Sequence, residues 1–152
     1  MVERKTQNPC FRKLALDDGR AMSELENRCF TLPWSYEQCM GALRQNSFRA
    51  YGLWRRDSLL AYISFYRHPD EFEIVNFAVI PEERKRGYGD LIMRLLLQTA
   101  RNLGISRIVL ETRATNHPAI SLYEKHGFSQ CGLRLRYYPD TKENALVYCK
   151  VL

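Results

Sequence analysis

No stretch of this chain approaches the roughly 20 consecutive apolar residues that a helix needs to cross a bilayer, so a membrane span is not expected. The opening segment Met1-Val2-Glu3-Arg4-Lys5-Thr6-Gln7 has no apolar core and does not read as a signal peptide. The five cysteines, Cys10, Cys29, Cys39, Cys131 and Cys149, form an odd set without metal-like spacing. They read as reduced thiols of a cytoplasmic protein. No cluster of histidine, cysteine and carboxylate suggests a metal. Repeats, linkers and low-complexity segments are missing too, which leaves 1-152 as a single domain able to bury about two-thirds of its unfolded surface. Basic residues outnumber acidic ones, 23 to 17, for a net charge of +6, yet no long block of one sign occurs. Direct nucleic-acid binding is therefore not expected, and a basic face is more often simply solvated.

What is present is alternating and helical patterning. Phe11 to Leu16 reads as a strand, followed by a helix from Asp17 to Phe30 with Met22, Leu25, Cys29 and Phe30 on its apolar side. Ser35 and Gln38 fit a capping box opening a second helix to Arg44. Phe48 to Trp54 and Leu59 to Tyr66 form a hairpin around Arg55-Arg56-Asp57-Ser58, and Glu71 to Val79 is a further strand. A helix then runs to Leu103 with Leu91, Leu95, Leu96, Thr99 and Leu103 at helical spacing and Gly104 as its stop. Ile108 to Leu110 is a short buried strand, and Pro118 suits the first residue of a helix that ends at Gly127. Phe128 to Leu135 and Ala145 to Val151 close the sheet. The class is α/β with a mixed sheet and helices on its faces.

The most informative run is Val79-Ile80-Pro81-Glu82-Glu83-Arg84-Lys85-Arg86-Gly87-Tyr88-Gly89-Asp90. A strand ends at a proline, a basic turn with glycines follows, and a helix starts directly from it. The first turn of a helix leaves its N–H groups unpaired and carries partial positive charge. Gly87 and Gly89 let a ligand approach the main chain, while Arg84, Lys85 and Arg86 add fixed charge, making an anion cradle suited to a pyrophosphate. The spacing fits neither the Walker nor the dinucleotide-binding pattern.

This turn resembles the Arg/Gln-x-x-Gly-x-Gly/Ala loop of the Gcn5-related N-acetyltransferases, the GNAT superfamily, which grips the pyrophosphate of acetyl-coenzyme A (acetyl-CoA). A second run, Glu111-Thr112-Arg113-Ala114-Thr115-Asn116 followed by Ala119-Ile120-Ser121-Leu122-Tyr123-Glu124-Lys125-His126-Gly127-Phe128, is similar to that family's other signature. Pro33-Trp34-Ser35 and Arg136-Tyr137-Tyr138-Pro139 extend the likeness to the RimI branch, over about residues 11 to 151. That branch acetylates the N-terminal alanine of a small-subunit ribosomal protein. The resemblance implies the acyl-CoA N-acyltransferase fold, with a central sheet of about 6-7 strands and helices on both faces.

Forming an amide from a thioester requires an unprotonated amine and a protonated leaving thiolate. An α-amine has a pKa of about 8 and is mostly charged at neutral pH. Glu111, taken as the end of a short buried strand, is the expected base, with desolvation favouring its neutral form. Tyr123 on the following helix is the expected acid at sulfur. The resemblance implies the same two roles. Their bland readings are a strand-end carboxylate paired with Arg113 and a core aromatic. Glu71 and Glu73 are the rival bases.

The resemblance further implies that Phe77, Ala78 and Val79 pair with the pantetheine arm as an added strand. It also implies that Asn116 contacts the cofactor; that residue equally suits a helix cap. His117 and His126 read as helix-end residues. Pro33, Trp34, Tyr137 and Tyr138 are expected to flank the acceptor.

Asp90, a departure from the family pattern, is expected to turn outward or to pair with Arg86 or Arg94. Asn144 departs as well and bears on substrate. A basic acceptor tail would need an acidic patch from Glu71, Glu73 and Asp140. The implied partners are acetyl-CoA and a protein N-terminus, possibly that of a ribosomal protein, for a monomer or weak dimer. The alternatives are a lysine or small-molecule amine as acceptor, or a CoA-binding regulatory module without turnover.

Overall fold

The computed structural model describes residues 8–152, so the predicted absence of a signal peptide in residues 1–7 lies outside the described residues. The elements run β1 (Cys10–Lys13), a 3-10 turn (Leu16–Asp18), α1 (Gly19–Cys29), α2 (Tyr36–Leu43), β2 (Phe48–Arg55), β3 (Ser58–Arg67) and β4 (Glu71–Val79). A second 3-10 turn (Pro81–Glu83) leads into α3 (Tyr88–Asn102), β5 (Arg107–Arg113), α4 (His117–Lys125), β6 (Ser129–Arg134) and β7 (Ala145–Val151). The strands form one seven-stranded sheet in the order β1-β2-β3-β4-β5-β7-β6. All neighbours are antiparallel except β4 and β5, which makes the sheet mixed.

Alternation along β3 explains the layers. Ala61, Ile63 and Phe65 face a core shared with Ile92, Met93 and Leu96 of α3 and with Tyr123 of α4. Leu60 and Tyr62 face the other side, against Met22 and Leu25 of α1 and Cys39 and Ala42 of α2. With a period of two, one strand feeds both cores, so the helices necessarily cover both faces.

Several predicted boundaries shift. β1 ends at Lys13 because Asp18 accepts the Ala15 N–H at 2.7 Å and is itself clamped by Arg12, which forces a 3-10 turn before α1. The capping box forms as expected: Gln38 N–H donates to Ser35 Oγ, and Ser35 N–H donates to Gln38 Oε1. The buried stripe of α3 is Ile92, Met93, Leu96, Leu97 and Ala100, about one position round from the stripe read in the sequence, and Leu103 is exposed. β5 extends to Arg113 because β7 pairs with its whole length, so Glu111 lies within the strand rather than at its end. Helix α4 begins at His117, with Pro118 second and Asn116 as its cap.

What positions the site is a gap. β4 and β5 pair only at Glu71↔Arg107, Phe72↔Ile108 and Glu73↔Val109. Directly beyond, the β3 register passes from Phe65↔Ile74 to Ser64↔Asn76, which leaves Val75 as a bulge. A bulge bends its strand and raises its twist. The remainder of β4 is paired with β3 alone, and Leu110 to Arg113 with β7 alone. A V-shaped opening results in the middle of the sheet. No helix among the described residues is long and apolar enough to cross a membrane.

Ile108 is fully buried in the middle of the three-pair contact between β4 and β5. Ile108→Ala should therefore destabilise the fold by about 2–5 kcal/mol, read as a lower urea midpoint at unchanged slope.

Candidate active site

The opening is continuous with three cavities that share lining residues. The first, of about 430 Å³, is bounded by Phe77, Ala78 and Val79 of β4, Arg84 and Gly89 of the glycine loop, and Asn116, Pro118, Ala119, Leu122 and Tyr123 around α4. The second, of about 410 Å³, continues from Phe77, Asn116 and Tyr123 to Glu111, Trp34 and Tyr138. The third, of about 500 Å³, takes Glu111 and Tyr138 as its inner wall and adds Glu71, Glu73, Arg134 and Tyr137.

A buried anchor shapes the glycine loop. Glu83 is 8% exposed and accepts from Arg55 Nη1 at 2.6 Å, with Arg86 Nη1 at 3.3 Å. Arg55 Nη2 also donates to the Tyr88 hydroxyl at 2.9 Å. Arg84 alone of the basic trio lines the cavity, its Nε donating to the Val79 carbonyl at 2.9 Å. Lys85 is exposed and has φ of 63°. Gly87 caps α3 with φ of 83°, which favours glycine. A Cβ on Gly89 would sit 3.3 Å from Leu122 Cδ2, so this glycine also sets how closely α3 approaches α4.

Of the outcomes expected for Asp90, the pairing with Arg94 is found and the favoured outward rotamer is not. Asp90 binds Arg94 Nε at 3.0 Å, Lys125 Nζ at 2.9 Å and His126 Nε2 at 2.9 Å. Arg86 is instead on Glu83. Asp90 therefore ties α3 to the end of α4, and Lys125 and His126 hold its carboxyl down at about 2.

In the middle cavity Tyr123 is 6% exposed, and burial pushes its phenol well up, keeping it protonated. Asn116 Oδ1 accepts the Ala119 N–H at 3.4 Å, the helix cap anticipated for it, while the residue lines both inner cavities. Glu111 is not paired with Arg113. Its Oε1 meets Arg134 Nε at 2.7 Å, and its side chain is 27% exposed, less desolvated than a buried strand end suggests. The Tyr137 hydroxyl is also bonded to this carboxylate, which pushes that phenol up.

Arg113 closes a different network. It holds Asp140 at 2.9 Å and Glu143 at 3.0 Å and stacks on Tyr138 with 4.0 Å to the ring centroid. Asp140 also accepts from Thr31 Oγ1 at 2.9 Å, which joins the α1–α2 loop to the β6–β7 loop. Trp34 and Tyr138 thus line one cavity from two tethered loops, whereas Pro33 does not line it. Asp140 is spent on Arg113 and drawn down to about 2, so of the anticipated acidic patch only Glu71 and Glu73 line the outer cavity. These two are partnered by Arg107 and His68. Asn144 Oδ1 accepts the Arg136 N–H at 3.0 Å and so shapes the same β6–β7 loop.

Sequence reasoning missed Glu26. It is 1% exposed and lines the middle cavity, bonded by the Tyr62 hydroxyl and by Asn76 Nδ2. The available signal was a carboxylate four residues after Met22, on the buried stripe of α1.

Residues 15–128 match the model of the Acetyltransferase (GNAT) family, and the chain belongs to that family. Its members use acetyl-CoA. A Bacillus subtilis (strain 168) protein named as a candidate ribosomal protein bS18-alanine N-acetyltransferase is 33% identical over 137 residues, covering 90% of this chain and 91% of that one. The Escherichia coli (strain K12) ribosomal protein bS18-alanine N-acetyltransferase is 29% identical over 136 residues, covering 88% and 91%. The crystal structure of the ribosomal-protein-S18-alanine N-acetyltransferase from Escherichia coli superposes with a TM-score of 0.89 at 27% identity, over 94% of this chain and 93% of that one.

Asp90→Asn should lower the urea midpoint at neutral pH by loosening α3 from α4. The folded carboxyl lies below its ordinary value of 3.8, so its stabilisation is complete above that value and is lost as pH falls towards about 2. The gap between mutant and wild type should close over that interval.

Proposed function

We propose that residues 1–152 act as one cytosolic acetyl-CoA-dependent N-acetyltransferase domain, monomeric or weakly dimeric, whose acceptor is a protein N-terminal α-amine. The names of the relatives favour an alanine-starting N-terminus of a ribosomal protein. The observation that carries this reading is the connected cleft. Tyr123 belongs to both inner cavities, and Glu111 belongs to both the middle and outer ones. A proton donor therefore stands towards the glycine loop and a carboxylate towards the tyrosine-lined end.

The residues fit the cosubstrate. Beyond Glu73, β4 has no β5 partner, so an amide-bearing arm can add to it as a strand. The start of α3, Gly87 and Arg84 offer N–H groups and charge to a pyrophosphate. Acetyl-CoA supplies an activated thioester. Glu111 takes the ammonium proton, directly or through water, the freed nitrogen bonds to the carbonyl carbon, and the carbon–sulfur bond breaks. Tyr123 gives its O–H proton to the departing sulfur, and the phenol is restored by the second proton that the nitrogen sheds as the amide forms. Trp34, Tyr137 and Tyr138 wall the acceptor.

Incubation with acetyl-CoA and a peptide panel, followed by mass spectrometry, tests the reaction and the acceptor together. Acetylation confined to α-amines, with alanine-starting peptides best, is the expected result. Modification of lysine side chains or small amines alone would overturn the acceptor, and no thiol release with any amine would leave a CoA-binding module.

Two substitutions separate the roles. Glu111→Gln should reduce kcat by about 10²-fold or more without changing acetyl-CoA affinity. Retention of more than about a third of wild-type kcat would make Glu111 structural and promote Glu73. Tyr123→Phe keeps the ring in the core and should lower kcat more than the KM for acetyl-CoA. A large drop in thermal midpoint with unchanged turnover per folded molecule would assign Tyr123 to packing alone.

A further inference from the structure

Glu26 is a buried carboxylate without a counter-ion. It lies on α1 and is 1% exposed. Its Oε1 accepts from the Tyr62 hydroxyl and from Asn76 Nδ2, the latter at 2.6 Å, and the Trp34 backbone N–H also donates to the carboxylate. All three donors are neutral. No ion pair reaches Glu26 among the described residues. Glu111, in the same cavity, already has Arg134 at 2.7 Å.

Burying an ionised carboxylate is unfavourable unless hydrogen bonds and an opposite charge compensate. Here the hydrogen bonds are present and the opposite charge is not, which pushes the carboxyl up from its ordinary value. The residue also lines a cavity, so the missing cation can arrive from outside. Of the two substrates, the phosphate-bearing one is an anion. The other carries an α-amine with a pKa of about 8 and arrives mostly as an ammonium. A group that is cationic on entry therefore meets an uncompensated carboxylate in the cavity that also holds Tyr123 and Glu111.

We infer that Glu26 is the residue that receives the acceptor's ammonium group, before Glu111 takes the proton. The assignment rests on the acetyltransferase reading and deepens it by dividing two tasks between two carboxylates. Glu26 recognises charge and fixes the nitrogen, and Glu111 removes a proton. It also makes the site selective for an unblocked cationic amine over neutral ends of the same shape. Tyr62 and Asn76 keep the carboxylate in place, and Asn76 follows the bulge at Val75, so the geometry that opens the sheet also presents this group.

Calorimetry on the enzyme with bound CoA tests the assignment, using two probes: an alanine-starting peptide and its des-amino counterpart, which has the same shape but no ammonium. Glu26→Gln retains an acceptor oxygen for Tyr62 and Asn76. It should weaken the amine peptide about tenfold or more and change the des-amino peptide by less than about twofold. Equal weakening of both probes would make Glu26 purely structural, and no change in either would remove it from the site.

Glu111→Gln serves as the second variant should Glu26→Gln fold poorly. It should keep the wild-type preference for the amine over the des-amino peptide, and loss of that preference would move the ammonium site to Glu111. Turnover is read separately, by mass, on wild-type enzyme with acetyl-CoA. Amine preference without acetylation would count against the transfer reaction and leave the Glu26 assignment standing. Absence of any preference in wild type would overturn the assignment itself.

Discussion

Everything about the cleft depends on the short parallel contact between β4 and β5. Three residue pairs hold these strands together, and the bulge at Val75 then turns β4 away. An open edge in the middle of a sheet leaves main-chain groups that need partners, an unfavourable arrangement unless a ligand or water supplies them. The two cores on either face tolerate it because β3 and β7 continue the pairing on the outer sides of the gap. The site is therefore produced by topology first, and individual side chains are arranged around it.

Charge is organised along the gap in separate cells. Glu83 gathers Arg55 and Arg86, Asp90 gathers Arg94, Lys125 and His126, and Asp140 and Glu143 share Arg113. Five of the 23 lysines and arginines are committed to these cells, and of the basic trio Arg84 is the member that lines the inner cavity. A positive net charge thus coexists with an outer cavity lined by Glu71, Glu73 and Glu111. Global charge says little about a site whose local balance is set by pairing.

What could be read in the sequence was whatever depends on near neighbours. The Ser35–Gln38 box, the span Glu71 to Val79 and the cap at Asn116 are local and were legible, as were the two motifs that carry the family. Features set by distant contacts were not. The extension of β5 follows from β7, some forty positions away, and Asp90 finds Lys125 and His126 on another helix. Glu111 and Arg113 share a face of β5, yet Arg113 is taken by Asp140 and Glu143 of the β6–β7 loop and Glu111 by Arg134 of β6, partners that only the fold brings near. Glu26 stayed hidden for a related reason: a carboxylate on an apolar stripe looks like a helix-face error until the cavity beneath it is seen.

The contact between Gly89 and Leu122 has one more consequence. Gly89 belongs to the glycine turn that opens α3, whereas Leu122 immediately precedes Tyr123. A methyl group added at Gly89 would press on the Leu122 side chain of α4. One interatomic spacing thus serves as a gauge for both ends of the inner cleft. A side chain at this glycine would be felt on the wall that α4 gives to the same cavity, which Gly89 and Leu122 line together.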